Sequence, residues 1–298
     1  MRVPAAPLDR RDAGRNRGRG RSGRRPRPDD ADVGAGSLAD PLEGVRAKLD
    51  RAAEHLTVLD EETAAFFESK PYVVEAEFDA DVTEYVFYIT PTRQPPLRLG
   101  LLLGDCAHNL RSALDHLTCA LAVLDTGGTA TCERTQFPIC SSEGNFKKHQ
   151  GTWLAGLNAT HVADLKRLQP YHAGKDAPHH FLTLLNWLDN VDKHRIVHPT
   201  FGYFNPTPQE ARAIRFVAAN KQAGTIRWKR VAKGRRIEGK ADVARVKLAP
   251  LGTKPKVQMY GKLTFDPAFG TEWLRGSSIP EIYRRVKGLV EGFAGDFA

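Results

Sequence analysis

One stretch of the sequence, residues 97–124, gathers side chains that can transfer protons, pair with carboxylates or bind metal ions. On a helical wheel at about 100° per residue, one side is apolar. The opposite side carries Asp105, His108, Asn109, Ser112, Asp115 and His116, with Arg111 at its edge. A solvated helix face usually carries Lys and Glu, which are good helix formers, and this face has neither. We therefore expect these six residues to line a groove, a dimer interface or a polar network, and to be less exposed than an ordinary helix surface.

A second helix is predicted over residues 178–195, and its polar face has a similar composition. That face carries Asn186, Asp189, Asn190, Lys193 and His194, opposite an apolar stripe. If the two helices pack antiparallel, their polar rims can meet at one edge. One interpretation is an interhelical network of hydrogen bonds and ion pairs, for instance between Asp115 or Asp105 and Lys193 or Arg195.

A metal site is an alternative interpretation of the same two faces. Its ligands would be Asp105, His108, Asp189 and His194, because carboxylate and imidazole groups from facing helices bind metals in helical bundles. Only Asp105 and His108 have i,i+3 ligand spacing in the first helix, and no Glu-x-x-His occurs there. The sequence therefore favours a site without metal or cofactor, with these four residues as the runner-up.

The segment HNLRSALDHL, residues 108–117, contains Arg111-x4-His116 and resembles the R-x4–6-H motif of HEPN-domain proteins. The resemblance covers about residues 38–195. It implies a helical bundle, often homodimeric, and for many members a metal-independent ribonuclease of a toxin–antitoxin or phage-defence system. The catalytic residues it implies are Arg111 and His116, with Asn109 and Asp115 as polar neighbours. The chain also resembles an uncharacterised bacterial family with GD-x-x-HNLRSALDHL and L-x-x-VDKHR segments.

The chemistry that this resemblance implies needs RNA as substrate and no cofactor. A histidine with a pKa near ~6.5 suits the base that activates the 2′-hydroxyl. The planar fork of an arginine suits stabilisation of the phosphorane. Asp115 or Asn109 could orient the imidazole, and the product would end in a 2′,3′-cyclic phosphate. The alternative is a non-catalytic interaction protein whose polar helix faces form an interhelical or dimer network.

Hydrophobic periodicity predicts the elements that position these residues. Helices are expected over residues 38–68, 97–124, 143–154, 159–168, 178–195 and 279–293. Strands are expected over residues 72–78, 83–90, 213–218, 225–231, 242–248 and 256–265. The order predicts an α+β fold, in which a helical bundle carries an inserted β-hairpin and a C-terminal antiparallel sheet is capped by a final helix.

The same pattern predicts three segments along the chain. Residues 1–36 form an Arg/Gly/Pro-rich tail that we expect to be disordered. Residues 37–200 form the bundle with the hairpin at 72–90, and residues 201–298 form the sheet and last helix, packed on the bundle. The tail holds ten arginines and five aspartates, so it carries +5 of the net charge of +9. The rest of the chain is only mildly basic, and its charge alone does not predict nucleic-acid binding.

The cysteines and the apolar runs bear on location. Cys106, Cys119, Cys132 and Cys140 contain no C-x-x-C pair, so we expect reduced thiols rather than a zinc knuckle. No apolar run approaches the length of a membrane span, and no apolar segment of the signal-peptide type follows the basic N-terminus. The expected location is the cytoplasm, with no membrane partner.

Overall fold

The fold is given by a computed structural model that describes about two thirds of the chain. The described residues are 40–79, 81, 84–194, 197, 199–204, 227–230, 239–247, 265–269 and 279–297. The expected disorder of residues 1–36, the strand expected at 213–218 and most of the strand expected at 256–265 lie outside these residues.

Six α-helices occur in the described part of the chain. They are α1 (Glu43–Glu68), α2 (Leu97–Asp125), α3 (Glu143–Trp153), α4 (Ala159–Arg167), α5 (Phe181–His194) and α6 (Ile279–Gly292). Two 3₁₀ segments, Pro170–His179 and Ala294–Phe297, precede α5 and follow α6. All six helices were predicted from their apolar stripes, with bounds that differ by at most a few residues.

Local capping fixes where two of the short helices begin. The Ser142 side chain accepts a hydrogen bond from the backbone N–H of Asn145 at the start of α3. The Asn158 side chain accepts one from His161 at the start of α4. Each side chain satisfies a backbone donor that lacks a partner in the first turn.

The strands within the described ranges form two antiparallel sheets, in agreement with the predicted α+β fold. One sheet has the strand order β1 (Tyr72–Asp79), β2 (Glu84–Pro91), β5 (Ala241–Lys247), β4 (Arg227–Arg230). The other pairs β3 (Pro199–Phe204) with β6 (Phe265–Phe269). The hairpin at 72–90 is therefore not an isolated insertion, because β2 pairs with a strand from the C-terminal part of the chain. The strand β3 was not predicted, and β6 overlaps the strand expected at 256–265 only at Phe265.

The hydrophobic core lies around α2, which packs on α1, α5 and α6. Helix α6 also contacts α1 and α5, so the C-terminal helix packs on the bundle within one unit that spans Asp40–Ala298. The largest fully buried side chains are Phe137, Phe146, Leu42, Ile89, Leu99, Leu103, Leu110, Leu114 and Leu117. Phe137 belongs to the loop after α2, and its burial means that this loop folds back over the helix.

Candidate functional site: the polar faces of α2 and α5

A glycine allows the polar faces of α2 and α5 to approach each other. A Cβ atom built on Gly104 would overlap the carboxylate of Asp192 on α5. Glycine is a poor helix former by about 1 kcal/mol relative to alanine, so its place inside a 29-residue helix is explained by this close approach. The predicted meeting of the two polar rims is confirmed at this point.

Arg111 lies inside the protein and not at the helix edge where the wheel placed it. Its side chain is 6% exposed, and its Nη2 donates a 2.7 Å hydrogen bond to the carbonyl oxygen of Phe137. The same Nη2 lies 3.2 Å from Oδ1 of Asp115, and that carboxylate oxygen accepts a 2.9 Å hydrogen bond from the Phe137 backbone N–H. Arg111 and Asp115 therefore bind the backbone carbonyl and the backbone N–H of Phe137. We call this arrangement the Phe137 clamp.

A second pair of contacts surrounds Asp189 on α5. Its carboxylate is only 3% exposed, and Oδ2 accepts a 2.6 Å hydrogen bond from Nζ of Lys193 one turn later. Oδ1 lies 3.4 Å from Nδ1 of His108 on α2 and has no hydrogen-bond partner in the described part of the chain. The His108 side chain is 58% exposed. An exposed imidazole therefore lies near a buried carboxylate, at a distance longer than the hydrogen bond of about 2.6–3.2 Å that orients a general base.

Charges couple the Phe137 clamp to Asp189. Burial raises the pKa of the Asp115 carboxyl above its usual range, and the nearby Asp189 carboxylate raises it further. Arg111, the Phe137 N–H and Lys193 all lower that pKa and so oppose the effect of burial. These groups therefore belong to one interhelical electrostatic network, as the sequence predicted for Asp115 and Lys193.

Asp192 belongs to the edge of the same network. Burial raises the pKa of the Asp192 carboxyl, and the carboxylates of Asp105 and Asp189 raise it further, while His108 opposes them. Several acidic groups thus crowd the point where Gly104 allows the helices to meet. Such crowding disfavours the charged form of the Asp192 carboxyl.

The remaining predicted catalytic residues point elsewhere. His116 is exposed and lies beside α1, where a Cβ atom on Gly44 would be 2.9 Å from its Nδ1. Asn109 is buried and its side chain donates a 2.8 Å hydrogen bond to the carbonyl of Asp105 in the preceding turn. Five residues of helix turn through about 140° beyond one full turn, so the side chains of Arg111 and His116 diverge. The structure does not bring these two groups together in one cleft.

The expected shielding of the α2 polar face is only partly observed. Asn109 is buried, Ser112 and Asp115 are half-buried, and Asp105, His108 and His116 are exposed. Of the shielded residues, Asp115 lies against the loop after α2, where it accepts a hydrogen bond from Phe137.

The runner-up metal set is only partly assembled. His108 and Asp189 are in contact, whereas His194 is exposed at the end of α5. Among the residues that the structure describes, no three histidine, cysteine, aspartate or glutamate side chains are grouped as metal ligands.

The expectation of reduced thiols is wrong for two of the four cysteines. Cys119 on α2 forms a disulfide with Cys132 in the following loop, 13 residues later. The other two, Cys106 and Cys140, are free and buried, and burial, reinforced by the Asp105 charge, raises the pKa of the Cys106 thiol to about 12. Sequence spacing alone could not reveal the disulfide, because it depends on the loop folding back along α2.

Sequence reasoning also missed a buried polar cluster where α2 ends. Nδ1 of His161 on α4 lies 2.7 Å from Oδ2 of Asp125, and both side chains are less than 10% exposed. The Asn158 backbone and side chain donate hydrogen bonds of 2.7 and 2.6 Å to the same carboxylate. On the other side of the ring, Nε2 lies 3.6 Å from Asp296. The cluster joins α2, α4 and the C-terminus, and its signal in the sequence is only the Asn cap of α4.

Comparison with known proteins identifies no relative for this fold or site. No family model, curated protein or solved structure gives a significant match to the chain. The HEPN resemblance of residues 108–117 therefore stays a prediction. None of the helices in the described ranges has the length and apolar character that crossing a membrane requires.

Proposed function

We propose that this chain is a non-catalytic interaction protein in which the polar residues of α2 and α5 form a structural network. The observation that carries the proposal is the position of Arg111, whose guanidinium is buried and bonded to the Phe137 carbonyl. A catalytic arginine must reach a phosphate, whereas this one is occupied by its own chain. Buried arginines that hold backbone carbonyls stabilise loops, since the charged donor strengthens the hydrogen bond.

The test of this proposal combines stability and activity on the same variants. Arg111→Ala should lower the melting temperature, while the wild-type protein should leave single-stranded RNA intact over hours at a protein concentration in the micromolar range. His116→Ala should change stability little, because the side chain is exposed. Cleavage by the wild type that is lost in both variants would contradict the structural role.

A second candidate function is the metal-independent ribonuclease, and the contact between His108 and Asp189 favours it. A carboxylate that closes the 3.4 Å gap to a hydrogen bond with Nδ1 would fix the tautomer of the ring and leave Nε2 free to act as the base. Nη1 of Arg111 is also buried without a hydrogen-bond partner in the described part of the chain. The base that removes the 2′-hydroxyl proton would be His108 or His116, and the 5′-oxygen would leave as the cyclic phosphate forms.

If the chain is a ribonuclease, its proposed partners are RNA as the substrate and a second copy of the chain in a homodimer. Cleavage should survive EDTA and should fail on DNA of the same sequence. Only one of the two variants, His108→Ala or His116→Ala, should abolish cleavage, because only one of these histidines acts as the base. Light scattering after size exclusion measures whether the chain forms a dimer. A monomer that does not cleave RNA would remove this candidate.

The cytoplasmic location stays a proposal with one of its arguments removed. It rested on reduced thiols as well as on the lack of an apolar signal-type segment after the basic N-terminus, and disulfides persist mainly in oxidising compartments. Mass spectrometry of the chain from freshly alkylated cells measures the state of Cys119 and Cys132. Full alkylation of both thiols would support the cytoplasm, and a protected pair would oppose it.

A further inference from the structure

An open pocket of about 260 Å³ lies between α3, the loop before it and α5. Its lining includes Asn145, His149 and Trp153. These residues are spaced four apart in the sequence and therefore lie on one face of α3. Ser141 comes from the loop, and Asn186 comes from α5. Neither the Phe137 clamp nor the contact between His108 and Asp189 contributes to this lining.

Two aromatic rings in the pocket are stacked. The rings of His149 and Trp153 are parallel within 9°, with centroids 4.0 Å apart. Both side chains are half-buried. Flat rings at a pocket wall provide a surface on which another planar ring can stack, and nucleic-acid bases stack on such side chains with little dependence on sequence.

The polar groups around the stack retain hydrogen-bonding capacity. The side-chain amide of Asn186 makes no hydrogen bond within the described part of the chain, and its backbone oxygen is what accepts from Asn190. The Asn145 amide donates only a long, 3.3 Å hydrogen bond to the hydroxyl of Ser141. An asparagine amide presents one donor and one acceptor side by side, which matches the paired donor and acceptor on the edge of a base.

A buried hydroxyl adds a further donor next to the pocket. The phenol oxygen of Tyr171 is buried without a hydrogen-bond partner among the described residues. Tyr171 follows Pro170, which lines the pocket, although Tyr171 itself is not among the lining residues. A buried polar group of this kind is usually satisfied by water or a ligand.

The charge of the lining restricts the ligand to a neutral one. Among the described residues that line the pocket there is no lysine, arginine, aspartate or glutamate, so none of them would compensate the charge of a phosphate. The volume is just below the range of about 300–1,000 Å³ that holds drug-sized ligands. We propose that this pocket binds a single unphosphorylated nucleobase or nucleoside, stacked on the pair of His149 and Trp153 and held at its edge by Asn186.

Calorimetric titration of the full-length protein with adenosine, guanosine, cytidine and uridine tests the proposal. At least one nucleoside should bind with a dissociation constant below about 1 mM. Asn186→Ala and Trp153→Ala should each weaken binding by about tenfold or more, which is the effect expected for loss of a stacked ring or of a base-edge contact. The matched control is His55→Ala, because His55 is half-buried on α1 outside the pocket.

Trp153 packs against the hydrophobic core, so the Trp153→Ala variant can be unstable and needs a second test of the stacking contact. His149→Ala and Asn186→Ala remove half-buried polar side chains, and circular dichroism checks that each variant is folded. Absence of binding by all four nucleosides would overturn the proposal. It would also be overturned if a 5′-monophosphate bound more tightly than its nucleoside, or if N-acetylglucosamine, a neutral ligand without a base, bound and the nucleosides did not. Equal weakening by His55→Ala and Asn186→Ala would also overturn it.

Discussion

Replacing Arg111 with alanine should destabilise the protein far more than replacing an exposed arginine. The substitution removes the hydrogen bond to the Phe137 carbonyl and the charge beside Asp115. Phe137 is 0% exposed, so water has little access to replace the lost donor. The carboxylate of Asp115 would lose its nearest cation while it keeps the desolvation that already raises its pKa.

The magnitude follows from these two losses. A hydrogen bond to a charged group contributes about 1.5–3 kcal/mol. The ion pair adds less than a fully buried pair would, because the Asp115 side chain is 33% exposed and solvent screens it. Loss of the packed aliphatic stem of the arginine contributes as well. We expect a loss of about 2–4 kcal/mol in the free energy of unfolding, or roughly 5–15 °C in melting temperature for a chain of this size.

Thermal and urea denaturation followed by circular dichroism measure the effect. The control is Arg98→Ala, since Arg98 pairs with Glu62 at 2.7 Å but its side chain is 64% exposed, and such pairs contribute about 0–1 kcal/mol. Arg111→Met keeps most of the stem and separates the polar loss from the packing loss. If Arg111→Ala and Arg98→Ala melted at the same temperature, the Phe137 clamp would have no role in stability.

Three further predictions concern the same region. Replacing both Cys119 and Cys132 with serine should lower the free energy of unfolding by about 3 kcal/mol, the loop-closure contribution for a loop of this length, and a reducing agent should lower the wild-type melting temperature to that of the variant. Gly104→Ala should destabilise the protein by about 1–3 kcal/mol, because the Asp192 side chain must move. If the variant were instead more stable by about 1 kcal/mol, the helix-propensity difference between the two residues, the Asp192 side chain would move freely. Asp115 has a raised pKa, so its carboxyl binds a proton more tightly in the folded state than in the unfolded state. The stability of the protein should therefore fall as the pH rises above the ordinary carboxyl range. The Asp115→Asn variant should lack this pH-dependent component in melting curves measured across pH.

The helices could be predicted because their apolar stripes record what they pack against. Residues 97–124 have one apolar side made mostly of leucine and alanine, and the structure buries that side against α1, α5 and α6. The strands were harder, because a short run that begins with proline, such as Pro199–Phe204, has few periods to count. The pairing of β2 with β5 joins residues that are far apart in the sequence, and a hydrophobic pattern does not specify such partners.

The site could be predicted only as far as its residues lie on the helices. The polar faces of α2 and α5 were identified, and their meeting is confirmed by the 3.4 Å contact between His108 and Asp189. The partner of Arg111 is a backbone carbonyl 26 residues away. Every residue carries such a carbonyl, so the sequence holds no signal for it, and the wheel alone placed this arginine at an edge.

The loop between α2 and α3 explains why short polar side chains replace Lys and Glu on part of α2. The disulfide between Cys119 and Cys132 fixes the loop near one turn of the helix, and the clamp of Arg111 and Asp115 fixes it further along. Gln169 continues the attachment, since its side chain accepts a 2.9 Å hydrogen bond from the Cys140 N–H and donates one of equal length to the Pro138 carbonyl. Long flexible side chains would leave these backbone groups without close, well-ordered partners.

This attachment also bears on any catalytic role for Arg111. A phosphate could bind the guanidinium fully only by displacing the Phe137 carbonyl, which would forfeit a hydrogen bond of about 1.5–3 kcal/mol and expose a buried phenylalanine. His108 faces no such obstacle, because its imidazole is exposed and already contacts the Asp189 carboxylate. If the polar faces of α2 and α5 perform chemistry, His108 is therefore better placed for it than Arg111, whose contacts are those of a residue that stabilises a loop.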